Sequence, residues 1–177
     1  RAILTNAGNA NAFTGERGRE TVQQTSTALA KSLGVGADHI LLASTGVIGE
    51  PLEAAKLSAY FPQLVANQNA SWDQAVGAIL TTDTFPKGAH VSCEIDGHTV
   101  NICGIAKGSG MVAPNMATML AYIATDAALP AELLQQLLTT AIDHSFNAIT
   151  IDSDTSTNDT VFLIATGCAK TPMVTGA

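Results

Sequence analysis

The chain has 177 residues, 46% of them hydrophobic and 13% charged, with a formal net charge of −7 from 8 Lys+Arg against 15 Asp+Glu. This apolar content excludes intrinsic disorder, and a chain of this length buries about 70% of its unfolded surface without disulfide or metal staples. The few basic residues are scattered, which argues against a nucleic-acid groove, because phosphate neutralisation needs clustered Lys or Arg.

No apolar run reaches the roughly 18 residues of a membrane span, and no segment has the signal-peptide pattern. Cys93, Cys103 and Cys168 are odd in number and lack CxxC spacing, so a reduced, cytoplasmic protein is expected. The chain opens at Arg1 directly before an apolar run, as expected of a processed chain or a piece of a longer one.

Residues 2–5 predict a short strand ending in the polar loop Asn6-Ala7-Gly8-Asn9-Ala10-Asn11. Val22, Leu29, Ala30 and Leu33 recur at helical spacing, with Gly34 as a natural C-cap. Ile40-Leu41-Leu42-Ala43 predicts a buried strand running into a two-glycine turn, Ser44-Thr45-Gly46-Val47-Ile48-Gly49. Pro51 is expected to open the next helix, and Pro62 to end or kink it.

Ser71 and Gln74 form a capping-box pair ahead of an apolar face of Trp72, Ala75, Val76, Ile79 and Leu80. Val91, Cys93 and Ile95 alternate, then Asp96-Gly97, then Val100 and Ile102, which is a hairpin signal. Residues 119–124 predict a strand. Pro130 opens a helix with Leu133, Leu134, Leu137, Leu138, Ala141 and Ile142 on one face, and strands follow at 149–151 and 161–165. Helices and strands mix without strict βαβ alternation. The expected class is α/β or α+β with a mixed or largely antiparallel sheet, in a single domain over residues 1–177.

The most unusual stretch, residues 104–120, joins the hairpin to the next strand. Gly108-Ser109-Gly110-Met111-Val112-Ala113 fits the loose dinucleotide fingerprint, but that fingerprint must open a helix, and here Pro114-Asn115 and a strand follow. The plain reading is a glycine-rich surface connection. The sharper reading rests on Ala117-Thr118. A threonine at the start of a buried strand can attack the preceding carbonyl and be released as a new N-terminus. Its freed α-amine, with an ordinary pKa of about 7.7–8.0, then serves as base for its own hydroxyl.

Thr45-Gly46, as a strand-ending turn, can aim a backbone N–H and a hydroxyl at one point, as an oxyanion hole requires; an ordinary turn is the alternative. Thr81-Thr82-Asp83-Thr84 can supply hydroxyl donors or simply end a helix. Lys107 is a lone cation before the glycine loop, able to hold a carboxylate or to sit in solvent. Asp152-Ser153-Asp154-Thr155-Ser156-Thr157-Asn158-Asp159 lacks the Gly and the closing Glu of a calcium loop, so a polar connection is expected and no metal site. The four histidines lack HExxH spacing, and G-x-S-x-G is absent.

Five stretches together resemble the ornithine acetyltransferases, the bifunctional glutamate N-acetyltransferases of the cyclic arginine pathway. They are Asn6-Ala7-Gly8-Asn9-Ala10-Asn11-Ala12, Ala43-Ser44-Thr45-Gly46-Val47-Ile48-Gly49, Thr81-Thr82-Asp83-Thr84, residues 104–120 and residues 145–160. The resemblance implies a self-cleaving enzyme cut at Ala117–Thr118, with Thr118 as the nucleophile that carries the acetyl group. It implies Thr45 and Gly46 as the oxyanion pair, and Thr81, Lys107 and Thr118 as substrate ligands, with Thr82 the alternative to Thr81.

The implied fold is a sandwich of mixed β layers between helices, built from an α piece (1–117) and a β piece starting at 118, two of each in the assembly. The implied substrates are N-acetylornithine and glutamate, with no metal or organic cofactor; some members also accept acetyl-CoA. Family members are longer at both ends, so a central portion is expected, whose missing C-terminal part completes the pocket. Two rivals stand beside this reading: a self-processed aminopeptidase or amidohydrolase of related fold, and an inactive piece that only pairs with a missing half.

Overall fold

The structure, a computed structural model, describes residues 1–112 and 119–174. It divides into two compact units, Arg1–Thr81 and Thr82–Ala177.

In the first unit, β1 (Ala2–Asn9) and β2 (Ile40–Val47) pair in parallel, in register from Ala2 opposite Ile40 to Gly8 opposite Gly46. Helix α1 (Gly15–Leu33) connects them, as a parallel pair requires. Its buried residues Gly18, Thr21, Thr25 and Leu29 recur every three or four positions. Gly34 ends the helix with φ +69, and the N–H of Val35 reaches back to Ala30 O at 3.0 Å. Leu29, Ala30, Ile40 and Phe61 form the core, with Leu33, Leu42, Leu57 and Val65 packed against them. Phe61 is 2% exposed, and truncating such a ring to alanine costs about 3–5 kcal/mol.

Both strands run four residues further than their apolar stretches. Residues 6–9 and 44–47 are too polar to read as strand, yet each supplies the other's ladder, and Ser44 Oγ donates to Asn6 Oδ1 at 2.7 Å. Pro51 does not open a helix. The Thr21 hydroxyl donates to Leu52 O at 2.7 Å, tying residues 51–53 to α1, and α2 (Ala54–Ser58) begins beyond them. Pro62 sits in the first turn of α3 (Phe61–Ala66), where its missing N–H is no loss. Helix α4 (Trp72–Ile79) has the full capping box, at 3.3 Å from Gln74 N to Ser71 Oγ and 2.9 Å in return. It buries Val76 and Ile79 and leaves Trp72 exposed.

The second unit holds β3 (Lys87–Ile95), β4 (His98–Lys107), β5 (Leu120–Thr125), α5 (Ala131–Asp143) and β6 (Thr160–Ala165). The sheet order is β3-β4-β5-β6, antiparallel across the first two pairings and parallel at the last, where α5 lies in the crossover. Asp96 and Gly97 both take positive φ, +50 and +76, as a tight two-residue hairpin turn needs. Val100, Ile105, Leu120, Ala121 and Leu133 are buried, and Tyr122 stacks on Phe162 at 5.7 Å. The mixed α/β class expected from the sequence is the class observed.

Residues 149–151 are not a strand. Between a 3-10 turn, Phe146–Ala148, and Asp152 they are too short for a ladder. The N–H of Ile151 and the hydroxyl of Thr150 converge instead on Val112 O, at 2.8 and 3.1 Å.

Candidate active site

Thr45 and Gly46 lie inside β2, not in a turn after it. The ladder is irregular there: Asn9 of β1 faces both Val47 and Thr45, a bulge of the kind that re-aims local groups. Thr45 is 2% exposed. Gly46 has φ +130, and a Cβ built on it would stand 2.3 Å from Gly8 C and 2.6 Å from Asn9 N. No side chain fits without moving β1. Asn6, Asn9 and Asn11 brace the same loop: Asn6 Nδ2 donates to Asn9 O at 2.7 Å, and the N–H of Asn11 to Asn9 Oδ1 at 2.7 Å. Gly46→Ala is therefore expected to destabilise the protein by about 1–3 kcal/mol, from backbone strain alone, read as a lower midpoint in denaturant unfolding. An unchanged midpoint would mean that β1 yields freely.

In the second unit Lys107 closes β4 and is 2% exposed, which excludes the solvated reading. Burial pulls its ammonium below the ordinary lysine range; Asp83 and Asp159 oppose that shift, and Lys87 adds to it. Lys107 is thus not a lone cation, because the β3–β4 pairing brings Lys87 alongside. The Asp83 side chain is fully buried, and its Oδ1 accepts from Lys87 Nζ at 2.7 Å and from the Gly108 N–H at 2.7 Å. Asp83 therefore ties the start of the glycine loop to the lysine pair. Burial pushes the Asp159 carboxyl up, against hydrogen bonds from the Met119 N–H and Ser156 and the charge of Lys107.

Asp83, Lys87 and Asp159 were not singled out by sequence reasoning. Asp83 and Asp159 do stand within the quoted Thr-Thr-Asp-Thr and polar-run motifs, which is the signal that points to them.

Thr81 is exposed at the end of the first unit. Thr82 is exposed at the start of the second, its hydroxyl 2.9 Å from that of Ser109. Ala117 and Thr118 lie outside the described residues. In the register of the sheet, Lys107 pairs with Leu120, two positions after Thr118. A cleft of about 330 Å³ on the same sheet is walled by Ala89, Val91, Ile102, Gly104, Ile123 and Phe146. Among the described residues none of the expected site residues lines it; its walls are mostly apolar, with Lys87 and His90 also on them.

Among the described residues no group of three or more His, Cys, Asp or Glu could hold a metal ion. No helix there is long and apolar enough to cross a membrane.

Fold and site together define an α/β protein with a glycine-locked strand pair in one unit and a sequestered lysine among carboxylates in the other. The chain belongs to the ArgJ family, which it matches over residues 1–176. It is 52% identical over 170 residues to the arginine biosynthesis bifunctional protein ArgJ of Rhizobium meliloti (strain 1021), covering 96% of this chain and 41% of that protein. Against the protein of the same name from Caulobacter vibrioides it is 49% identical over 175 residues, covering 98% of this chain and 43% of that one.

The crystal structure of the arginine biosynthesis bifunctional protein argJ from Bacillus halodurans is similar with a TM-score of 0.57 at 36% identity. The match covers 65% of this chain and 61% of that one. The chain spans about two fifths of the length of the curated relatives it matches.

Proposed function

We propose that this chain is the central part of a longer, cytoplasmic enzyme that moves an acetyl group from N-acetylornithine to glutamate. The observation that carries this reading is the likeness, over nearly the whole chain, to proteins named for arginine biosynthesis and a bifunctional role.

The enzyme first cuts itself. Thr118 Oγ adds to the Ala117 carbonyl carbon, the Ala117–Thr118 C–N bond breaks, and the hydroxyl proton ends on the freed nitrogen. Water then hydrolyses the ester, leaving an Ala117 carboxylate and a free Thr118 hydroxyl and amine. This splits an α piece ending at Ala117 from a β piece starting at Thr118, two of each forming the assembly. In turnover, Thr118 Oγ takes the acetyl group, and ornithine leaves with its amine protonated. The amine of glutamate then attacks the acetyl carbonyl carbon, the ester bond to Thr118 Oγ breaks, and the proton lost by the amine returns to that oxygen, giving N-acetylglutamate and a free Thr118 hydroxyl. Thr45 and Gly46 stabilise the oxyanion, and Lys107 with Thr81 or Thr82 holds substrate. A hydroxyl activated by its own amine needs no metal or organic cofactor. The rest of the longer chain completes the pocket.

The test is two-substrate kinetics on the full-length protein, with intact mass of the β piece. Parallel double-reciprocal lines and one added acetyl group on the β piece are expected. Acetate release at the same rate without glutamate would replace transfer by hydrolysis, the amidohydrolase reading.

Both substrates carry a carboxylate, and Lys107 is a desolvated cation. Lys107→Met is expected to raise both KM values about 10- to 10²-fold, the worth of one charged hydrogen bond, with the protein still folded. Because burial lowers the Lys107 pKa, substrate binding should weaken as pH rises through a value below the ordinary lysine range. Unchanged KM values in the variant would remove Lys107 from the site.

A further inference from the structure

Helix α1 carries two threonines, Thr21 and Thr25, one helical turn apart on its buried face. The Thr21 hydroxyl donates to Leu52 O at 2.7 Å. Thr25 is 2% exposed, and its Oγ1 has no hydrogen-bond partner among the described residues. A hydroxyl inside a helix can bond back to the carbonyl four positions earlier. Two neighbours in α1 do so, Ser26 to Val22 O at 2.8 Å and Ser32 to Ala28 O at 3.0 Å. Thr25 makes no such bond to Thr21 O. Leaving a buried hydroxyl unbonded is costly, so a partner outside the protein is called for.

Thr25 lines a cavity of about 20 Å³, together with Thr21, Asn6, Asn11 and Ser44. One water molecule needs roughly 10–15 Å³ and two to four polar partners, so the space suits a single water and no larger ligand. The lining offers those partners. Thr21 commits its proton to Leu52 O, and its oxygen retains acceptor capacity. Asn6 Oδ1 takes the Ser44 hydroxyl proton at 2.7 Å, and a carboxamide oxygen has a second acceptor site. Thr25 brings the donor.

We infer that this cavity is the site of a structural water, which accepts from Thr25 Oγ1 and donates to Thr21 Oγ1 and Asn6 Oδ1. The water joins helix α1 to the Asn6–Ser44 pair that spans β1 and β2, one residue before Thr45. The inference stands on the hydroxyl and the cavity, and holds whatever reaction the full-length protein performs. The alternative is a dry cavity with an orphaned hydroxyl, and it predicts the opposite sign for Thr25→Val. Valine has the shape of threonine without the hydroxyl. It relieves an orphaned donor and so stabilises, but it forfeits a bridged one and so destabilises.

The experiment is thermal unfolding of full-length Thr25→Val beside the parent, with a crystal structure of the parent at a resolution that shows waters. Valine and threonine have nearly equal helix propensity, so the helix itself contributes little to the difference. The parent is expected to hold one ordered water about 2.8 Å from Thr25 Oγ1. The midpoint of Thr25→Val is expected to fall by roughly 2 °C, the worth of one hydrogen bond in a chain of this size. A dry cavity in the parent, or a midpoint that is unchanged or raised in Thr25→Val, overturns the water site. Should Thr25→Val fail to fold, the parent crystal structure decides by the presence or absence of that water.

Discussion

Full-length protein carrying Thr118→Ala is expected to remain a single uncut chain and to release no ornithine from N-acetylornithine. The hydroxyl is asked to do two jobs, ester formation with Ala117 and acetyl carriage, and alanine can do neither. Losing a covalent nucleophile lowers kcat by about 10⁶-fold where the comparison has been made in serine hydrolysis, so residual transfer should fall below detection. Thr118→Ser keeps a hydroxyl and should still cut. Intact mass answers the first question and an ornithine assay the second. An alanine variant that appears as two pieces would move the nucleophile elsewhere. Two positions on in the chain, Leu120 is 1% exposed at the start of a central strand, and its neighbour across the ladder is Lys107.

Thr45→Ala is expected to lower kcat by about 10²–10³-fold, the cost of removing one oxyanion donor. A turn threonine could be truncated without disturbing the fold, but Thr45 is 2% exposed inside a strand. Alanine there should also lower stability, because it removes buried side-chain atoms from a packed strand. The two effects are separated by Thr45→Ser, which keeps the hydroxyl and should keep kcat, and by measuring rates well below the unfolding transition. Near-normal kcat in a folded Thr45→Ala protein would reduce Thr45 to a packing residue.

Local signals translated directly where the chemistry is local. The Ser71–Gln74 box, the Gly34 cap and the Asp96-Gly97 turn each act within a few residues, and each formed as its residues dictate. Where a partner strand decides, local signals fall short. Residues 6–9 and 44–47 carry Asn, Gly, Ser and Thr, which do not call for strand by themselves, and only their mutual pairing makes them so. Residues 149–151 carry two isoleucines and found no ladder to join.

The same division runs through the site. Sequence alone determined the residue types and their order: the Thr-Gly pair, the lysine before a glycine loop, the Ala-Thr step and the polar run with an aspartate at each end. It determined the α/β class as well, because apolar periodicity and turn residues act over short range. Only the tertiary structure decided that Lys107 is buried among Asp83, Lys87 and Asp159, that Gly46 is locked against Gly8, and that one loop grips chain some 40 residues earlier. Burial, charge coupling and backbone clearance depend on distances between segments far apart in sequence, and no local pattern encodes those distances.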